Sequence, residues 1–525
     1  MHPTEIHGVN AAADPTQDAP ERRRYLAVAG VFFLLHIFLM LCRYGSLPVA
    51  PVLGDEVVIN DAAISLARGT GLVARSFSDS QYGFDTVFAH FPPIYLWVQA
   101  LAFHLFGVSV QSLRLTTTVM SIGESLVLLL LLYGLCRVAV LAWDTAAVVI
   151  AIFCSDAALV ALERTARMES MIGLLVLLSL WAILSVATRP GRAHAWLLTI
   201  VGGVFAALSL AVHPEAISAL VLLGALFGFV VPGNRLLRIA TLSLFVLVPL
   251  GVALATFGSH SGDALAQFVN IFHGARTMEP TTIEWLRDTS HYRSISSLSR
   301  VLFLVFLMTL MLLVPVSARP LLRELRASAS GSGSFKRRMI LCFAAIGIVE
   351  FLLLITLFRM NDRRFQFLVG PFLVLNAICL VGNAPLKRWQ QFLGWGFVAF
   401  QLLAAAVYLG PRTDRLADAD PNRYMAVIKS LPPGIPILGS RSLWLDLQES
   451  GRSYTLIYPG LDGEEQWAKE SANPFERFPV IVLAGTDCVG RPYLRQEASE
   501  GRTVKTYRVG TDTVEVYQRP APVLR

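Results

Sequence analysis

Along most of this chain polar positions are too sparse to define an amphipathic period. Instead, apolar runs of roughly 17–25 residues follow one another, each long enough to cross a bilayer as a helix. They predict spans near 25–43, 115–136, 145–162, 170–187, 196–212, 216–232, 236–257, 298–318, 339–358, 365–383 and 389–409. Past Tyr408 the pattern changes to short alternating runs separated by turn signals such as the PPG at 432–434. IPILGS, RSYTLIY, FPVIVLAG, VKTYRVG and TVEVYQR read as strands, and RYMAVIKSL and LWLDLQE as helices. The expected architecture is an all-α polytopic membrane bundle of about eleven transmembrane helices with a small C-terminal extracytoplasmic α/β domain. The divisions are a polar leader at 1–24, the bundle at 25–410 with external loops at 44–114 and 258–297, and the α/β domain at 411–525.

Composition agrees: 54% of residues are hydrophobic and only 15% charged, unlike a soluble chain of this length. The net charge of +7 does not point to nucleic acid. Lys and Arg gather instead in alternate loops, the mark of the cytoplasmic side. With Arg22–Arg24 inside, the inside loops hold Arg137; Arg189 and Arg192; Arg235 and Arg238; Arg319 through Arg338; and Lys387 with Arg388. Only Asp144 and Glu324 oppose them. The polar leader precedes an apolar run with no small-residue cleavage site, so it reads as an uncleaved signal anchor in a bacterial inner membrane. Residues 93–109 carry Gln99 and His104 and are short for a span. They read as an interfacial helix on the outer leaflet, because a span there would invert every later loop. The six cysteines contain no CxxC, so neither a zinc site nor a disulfide framework is suggested.

This topology gathers ionisable residues at the external rim. Asp55 and Glu56 follow the first span; His90 precedes two prolines; Glu163, Arg164, Arg167 and Glu169 lie in LERTARMES; His213 and Glu215 form AVHPEA; Arg363 and Arg364 lie in DRRFQF. Each has an ordinary reading: solvated loop acids, an Arg167–Glu169 ion pair, a cap for His213, snorkelling for Arg363 and Arg364. Their common placement favours function, because charge at membrane depth is costly. An acid beside the bilayer takes a proton from a hydroxyl, and arginines hold a phosphate. Together they suit group transfer from a lipid-linked phosphate. A nucleotide donor suits the chain poorly, since it has no P-loop and no GxGxxG between strand and helix.

The run GDEVVINDAAISLARGTGL, followed by HFPPIYLWVQALAFHLFGVSVQSLRL, resembles the first external loop of GT-C glycosyltransferases. These include the protein O-mannosyltransferases, the lipid A aminoarabinose transferases and the Rgt-type lipopolysaccharide glycosyltransferases. ERTARMES looks like their second external motif and DRRFQFLVGP like their late Arg-Tyr…Pro motif, over about residues 25–385. The resemblance implies a polyprenyl-phosphate sugar donor, a glycan or lipid acceptor outside the cytoplasm, and inversion at the sugar. It makes Asp55 the catalytic base with Glu56 as second choice or helper. Glu169 would orient the acceptor or assist the base. Arg364 would bind the donor phosphate, with Arg363, Arg167 and His90 around it. His213 and Glu215 are pocket or acceptor candidates without a residue-level match. Two departures stand out: Phe91 separates His90 from the prolines, and Phe365 replaces the tyrosine. The histidines of the 258–297 loop lack metal-ligand spacing, and the class leaves a divalent metal open. The rival readings are a transporter or flippase for a lipid-linked glycan, which predicts charges near the midplane, and a non-catalytic scaffold keeping the fold.

Overall fold

The structure is a computed structural model. It describes residues 19–42, 54–77, 84–89, 91–188, 192–230, 235–267, 366–409, 422–457, 474–488 and 492–520, with a few single positions between.

The helices, in chain order, are α1 (Ala19–Leu41), α2 (Gly54–Ala67), α3 (Pro93–Phe106), α4 (Val110–Arg137), α5 (Trp143–Ser155), α6 (Ala157–Glu163), α7 (Glu169–Thr188), α8 (Arg192–Val212), α9 (Ile217–Ala225), α10 (Arg235–Phe257), α11 (Val369–Asn376) and α12 (Arg388–Leu409). Among the described residues six of these are long and apolar enough to cross a membrane, or seven if α5 and α6 form one bent span. The chain is a multi-pass membrane protein. The predicted spans at 216–232 and 365–383 fall on shorter apolar helices that continue as π-helical turns, Leu226–Val230 and Ala377–Val381. Those at 298–318 and 339–358 lie outside the described residues, as does most of the loop at 258–297.

Two local rules set the region that carries the first external motif. Pro93 opens α3 at a position whose N–H needs no partner, and Gly107 closes it at φ 75°. Its 14 residues reach only ~21 Å, short of the ~30 Å hydrocarbon core. Ser109 and Ser112 then form a reciprocal capping box that starts α4.

The predicted span at 145–162 is broken. α5 and α6 meet at an angle of 51°. The cause is Asp156, whose carboxylate accepts the N–H groups of Ala158 and Leu159, both at 2.9 Å, and so begins a new helix.

The C-terminal domain carries a five-stranded sheet in the order β2-β1-β3-β5-β4, made of β1 (Ile437–Gly439), β2 (Tyr454–Leu456), β3 (Val480–Ala484), β4 (Thr503–Val509) and β5 (Asp512–Gln518). β1 pairs parallel with β2 and β3, and β5 pairs antiparallel with β3 and β4. β3 is buried along its length, as a central strand should be, whereas the edge strand β4 exposes Lys505 and Thr506. Its helices are α13 (Met425–Ser430), α14 (Trp444–Ser450), α15 (Pro474–Arg477) and α16 (Pro492–Ser499).

This domain sits directly on α2. Asp61 is buried and receives the Ser76 hydroxyl at 2.5 Å and the Ser76 N–H at 2.9 Å. From α14 it receives the Trp444 indole N–H and the Gln448 amide, each at 3.3 Å. The Tyr454 hydroxyl lies 3.0 Å from Ser76 Oγ, which is left to accept from it. Burial pushes the Asp61 carboxyl above the usual carboxylate range, and these hydrogen bonds pull partly against it.

Candidate functional site

Among the described candidates, Glu56, Arg167 and Glu169 meet at the short turn between α6 and α7. Glu56, in the first turn of α2, is fully buried, and its Oε1 accepts the Ala166 N–H at 2.5 Å. One helical turn on, Asn60 donates to the Glu56 carbonyl at 2.7 Å and to the Ala166 carbonyl at 3.1 Å. The beginning of α2 is therefore stitched to the 164–169 turn by side chains of both its first and second turns. Asp55 precedes Glu56 on the same helical start, and its side chain lies outside the described residues.

Arg167 lies next along the turn. Its Nε and Nη2 both approach Glu169 Oε1 at 2.8 Å. Among the described residues Glu169 Oε2 is buried with no hydrogen-bond partner, although a buried carboxylate oxygen ordinarily has one.

Tyr95, from the PPIY run, is buried within the electrostatic field of Glu56, Glu169 and Arg167. Its hydroxyl lies 3.4 Å from that of Thr117, and Thr117 donates to the Arg167 carbonyl at 3.3 Å. α3 and α4 thus supply the floor of the turn.

The remaining described candidates, His213 and Glu215, lie in the segment between α8 and α9. His213 begins the turn Pro214–Ala216, its Nδ1 accepting the Glu215 N–H at 3.1 Å. That is the capping role open to it in the sequence. Phe91 packs on the His213 ring with centroids 5.3 Å apart. The residue that separates the two prolines from His90 therefore links the first external loop to AVHPEA. His90 itself lies outside the described residues, but Ala89 beside it donates to Gln267 at 2.6 Å. Arg363 and Arg364 also lie outside them. Two positions further, Gln366 donates to Ser170 at 3.2 Å, which brings the late motif to the start of α7.

LERTARMES does not act as one unit. Arg167 and Glu169 face the site, but Glu163 and Arg164 leave it. Arg164 donates to the Leu39 carbonyl at 2.8 Å. Glu163 turns into the bundle and accepts the Ser121 hydroxyl at 2.6 Å, close to Glu124, both acids being fully buried. His36 completes the group, 2.9 Å from Ser121 Oγ and 3.7 Å from Glu163. The reason is helical geometry: Glu163 ends α6 on its packed side, whereas Glu169 opens a new helix.

Sequence reasoning passed over Tyr95, Thr117, Asn60, Asp61, Glu124 and His36. Tyr95 and Asn60 lay inside the motifs that carried the resemblance. Glu124 and His36 were visible only as single ionisable residues inside apolar spans, a signal of its own. Among the described residues no three His, Cys, Asp or Glu side chains gather in a way that holds a metal, and Arg167 already engages one Glu169 oxygen.

With this geometry in view, the matches to solved structures are informative. The Archaeoglobus fulgidus oligosaccharyltransferase in complex with zinc and sulfate matches at 12% identity and TM-score 0.51, over 94% of this chain and 74% of that one. The mycobacterial arabinofuranosyltransferase AftD matches at 16% identity and TM-score 0.51, over 95% of this chain and 42% of that one. The chain has the GT-C fold. ArnT from Cupriavidus metallidurans, in its apo state, aligns over 95% of this chain and 98% of that one at 14% identity and TM-score 0.48. No protein-family model and no curated protein matches the sequence.

Proposed function

We propose that this protein is an integral-membrane glycosyltransferase. It moves a sugar from a polyprenyl phosphate to an acceptor hydroxyl on a lipid, a lipopolysaccharide or a cell-wall glycan at the extracytoplasmic face of a bacterial inner membrane. The observation that carries the reading is the joining of α2, the 164–169 turn, the His213 turn and the start of the late motif at one end of a bundle with the GT-C fold. The oligosaccharyltransferase and the arabinofuranosyltransferase, each at TM-score 0.51, are named for moving glycosyl groups.

Glu56 is engaged with the Ala166 N–H, which suits it to orient rather than to exchange protons. Asp55 is then the base. It takes the acceptor proton as the acceptor oxygen bonds the anomeric carbon, while the bond from that carbon to the lipid phosphate oxygen breaks. Polyprenyl phosphate leaves, and a single displacement inverts the anomeric centre. Arg364, assisted by Arg363 and His90, neutralises charge on the departing phosphate. The open oxygen of Glu169, held in place by Arg167, receives the acceptor. The residues present fit this without a metal step, and none is invoked. The α/β domain holds α2 from outside through Asp61.

The test is direct. Membranes carrying the Asp55→Asn variant should insert the protein normally and lose transfer of sugar from lipid-linked donor. Unchanged glycan products would overturn the reading. The transporter reading draws on one observation, the buried His36–Glu163–Glu124 group inside the bundle. It predicts that Glu124→Gln stops movement of a lipid-linked glycan across vesicles while sugar transfer continues.

A further inference from the structure

The end of the bundle away from the candidate site holds a cavity of about 420 Å³, within the roughly 300–1,000 Å³ common for small-molecule sites. Chain direction fixes which end this is. α1 starts beside the cavity at Ala19, and it meets Arg164 near its other end, at Leu39.

One wall is the first turns of α1, with Glu21, Arg24, Tyr25 and Val28 on one face. Facing it are Trp143, at the start of α5, and Trp395 in α12. The aromatic wall is fixed. The Tyr25 and Trp143 rings lie 5.4 Å apart, and the Tyr25 hydroxyl donates to the Leu129 carbonyl at 2.8 Å. Asp144 also lines the cavity, but it is already occupied. It accepts the N–H groups of Thr145 and Leu386 at 2.7 Å and the Gln391 amide at 3.3 Å, so it ties α5 to α12. Ala139, at another wall, is held at φ 54°, and among the described residues no other non-glycine has positive φ. Such strain persists where surrounding structure over-determines the backbone.

Two features define what fits. Glu21 and Arg24 bring opposite charges to the mouth, one helical turn apart, next to aromatic faces that attract an ammonium group. A zwitterion satisfies both: a phosphodiester at Arg24 and an ammonium between Glu21 and the rings. The mouth also continues onto lipid. Val31, Leu34 and Phe38 follow Val28 along α1 and are exposed, which gives acyl chains a path that a soluble zwitterion does not need. We propose that this cavity binds the head group of an aminophospholipid of the phosphoethanolamine class, drawn from the leaflet on the side of Arg22–Arg24. The site is separate from the sugar-transfer site and stands whether or not that reading holds.

The test uses the full-length protein in detergent micelles and native mass spectrometry. The probes are phosphatidylethanolamine, phosphatidylglycerol and soluble glycerophosphoethanolamine. The expected result is one phosphatidylethanolamine retained per chain, with retention weakened about tenfold or more by Glu21→Gln and by Arg24→Gln, about 1.4 kcal/mol. Val28→Trp, which fills the cavity, should abolish it. Far-ultraviolet circular dichroism and unfolding midpoints matching the parent without added lipid establish that the variants fold. Equal retention by parent and variants, equal retention of phosphatidylglycerol, or no retained lipid on the parent overturns the proposal. So does displacement of the lipid by glycerophosphoethanolamine at equal concentration, which assigns a soluble ligand instead.

Discussion

The Trp444 indole N–H reaches the Asp61 carboxylate at 3.3 Å across 383 residues of chain. It joins the C-terminal domain to the helix that begins with Asp55 and Glu56. Asp61 lies on that helix little more than a turn beyond Glu56, so the docking of a peripheral domain and the placement of the proposed base share one rigid element.

Asp61→Ala should therefore loosen both. It leaves the buried donors of Ser76 and Trp444 without their acceptor, a loss of about 1–3 kcal/mol. Cleavage by added protease in the 410–421 connection should speed up, and transfer should fall. pH gives a second readout. Asp61 is raised in the folded state by burial, so the stability it contributes is fully present below its unfolded value of about 3.9 and declines as pH rises through the folded value. Domain attachment, followed by denaturant titration from pH 4 upward, should weaken with pH in the parent and lose that slope in Asp61→Ala.

Much of this was legible in the pattern of apolar positions. The five predicted strands correspond to β1–β5, and the 432–434 turn and flanking runs gave α13 and α14, because alternation and turn residues are local signals. The break at Asp156 was not legible. An Asp within an apolar run reads as a tolerated polar residue until the N–H groups it caps are seen. For the site, the motifs identified the segments, and the resemblance ranked Asp55 ahead of Glu56 as base; the contact of Glu56 with the Ala166 N–H supports that proposed order. Glu163 and Glu169 look equivalent in LERTARMES, yet a helix end and a helix start send them to different compartments of the bundle. The lock through Trp444 depends on contacts almost the length of the chain apart, which no local pattern carries.

The division of labour between the two adjacent acids predicts unequal variants. Glu56→Gln keeps a carbonyl oxygen for the Ala166 N–H and should retain substantial activity. Asp55→Asn removes the base and should cost roughly 10²–10⁴ in turnover. Turnover measured with a lipid-linked donor decides this. A larger loss in Glu56→Gln than in Asp55→Asn would exchange the two roles.

Arg167 holds Glu169 by two N–H groups on one oxygen, leaving the other oxygen open. Arg167→Lys keeps the charge but offers a single point contact in place of the paired one. It should raise KM for the acceptor more than it lowers turnover, because Glu169 keeps its charge and loses its aim. Glu169→Gln should lower turnover itself. Steady-state kinetics with acceptor varied at saturating donor separates the two patterns, and an identical profile for both variants would show that the pair is only a structural clasp.

Gly173 tests the buried acid pair. A Cβ placed there would stand 2.6 Å from Glu124 Cδ, closer than packed atoms tolerate. Glu124 has little room to yield, since Glu163, Ser121 and His36 crowd the same pocket. Gly173→Ala should therefore destabilise the bundle by about 1–3 kcal/mol, the usual cost of overpacking, seen as a lower unfolding midpoint in detergent. Glu124→Ala in the same chain should relieve most of that loss, giving a coupling energy of roughly 0.5–3 kcal/mol between two contacting positions. If Gly173→Ala unfolds at the parent's midpoint, Glu124 swings aside freely and is not held rigidly between α4 and α7 as its burial implies.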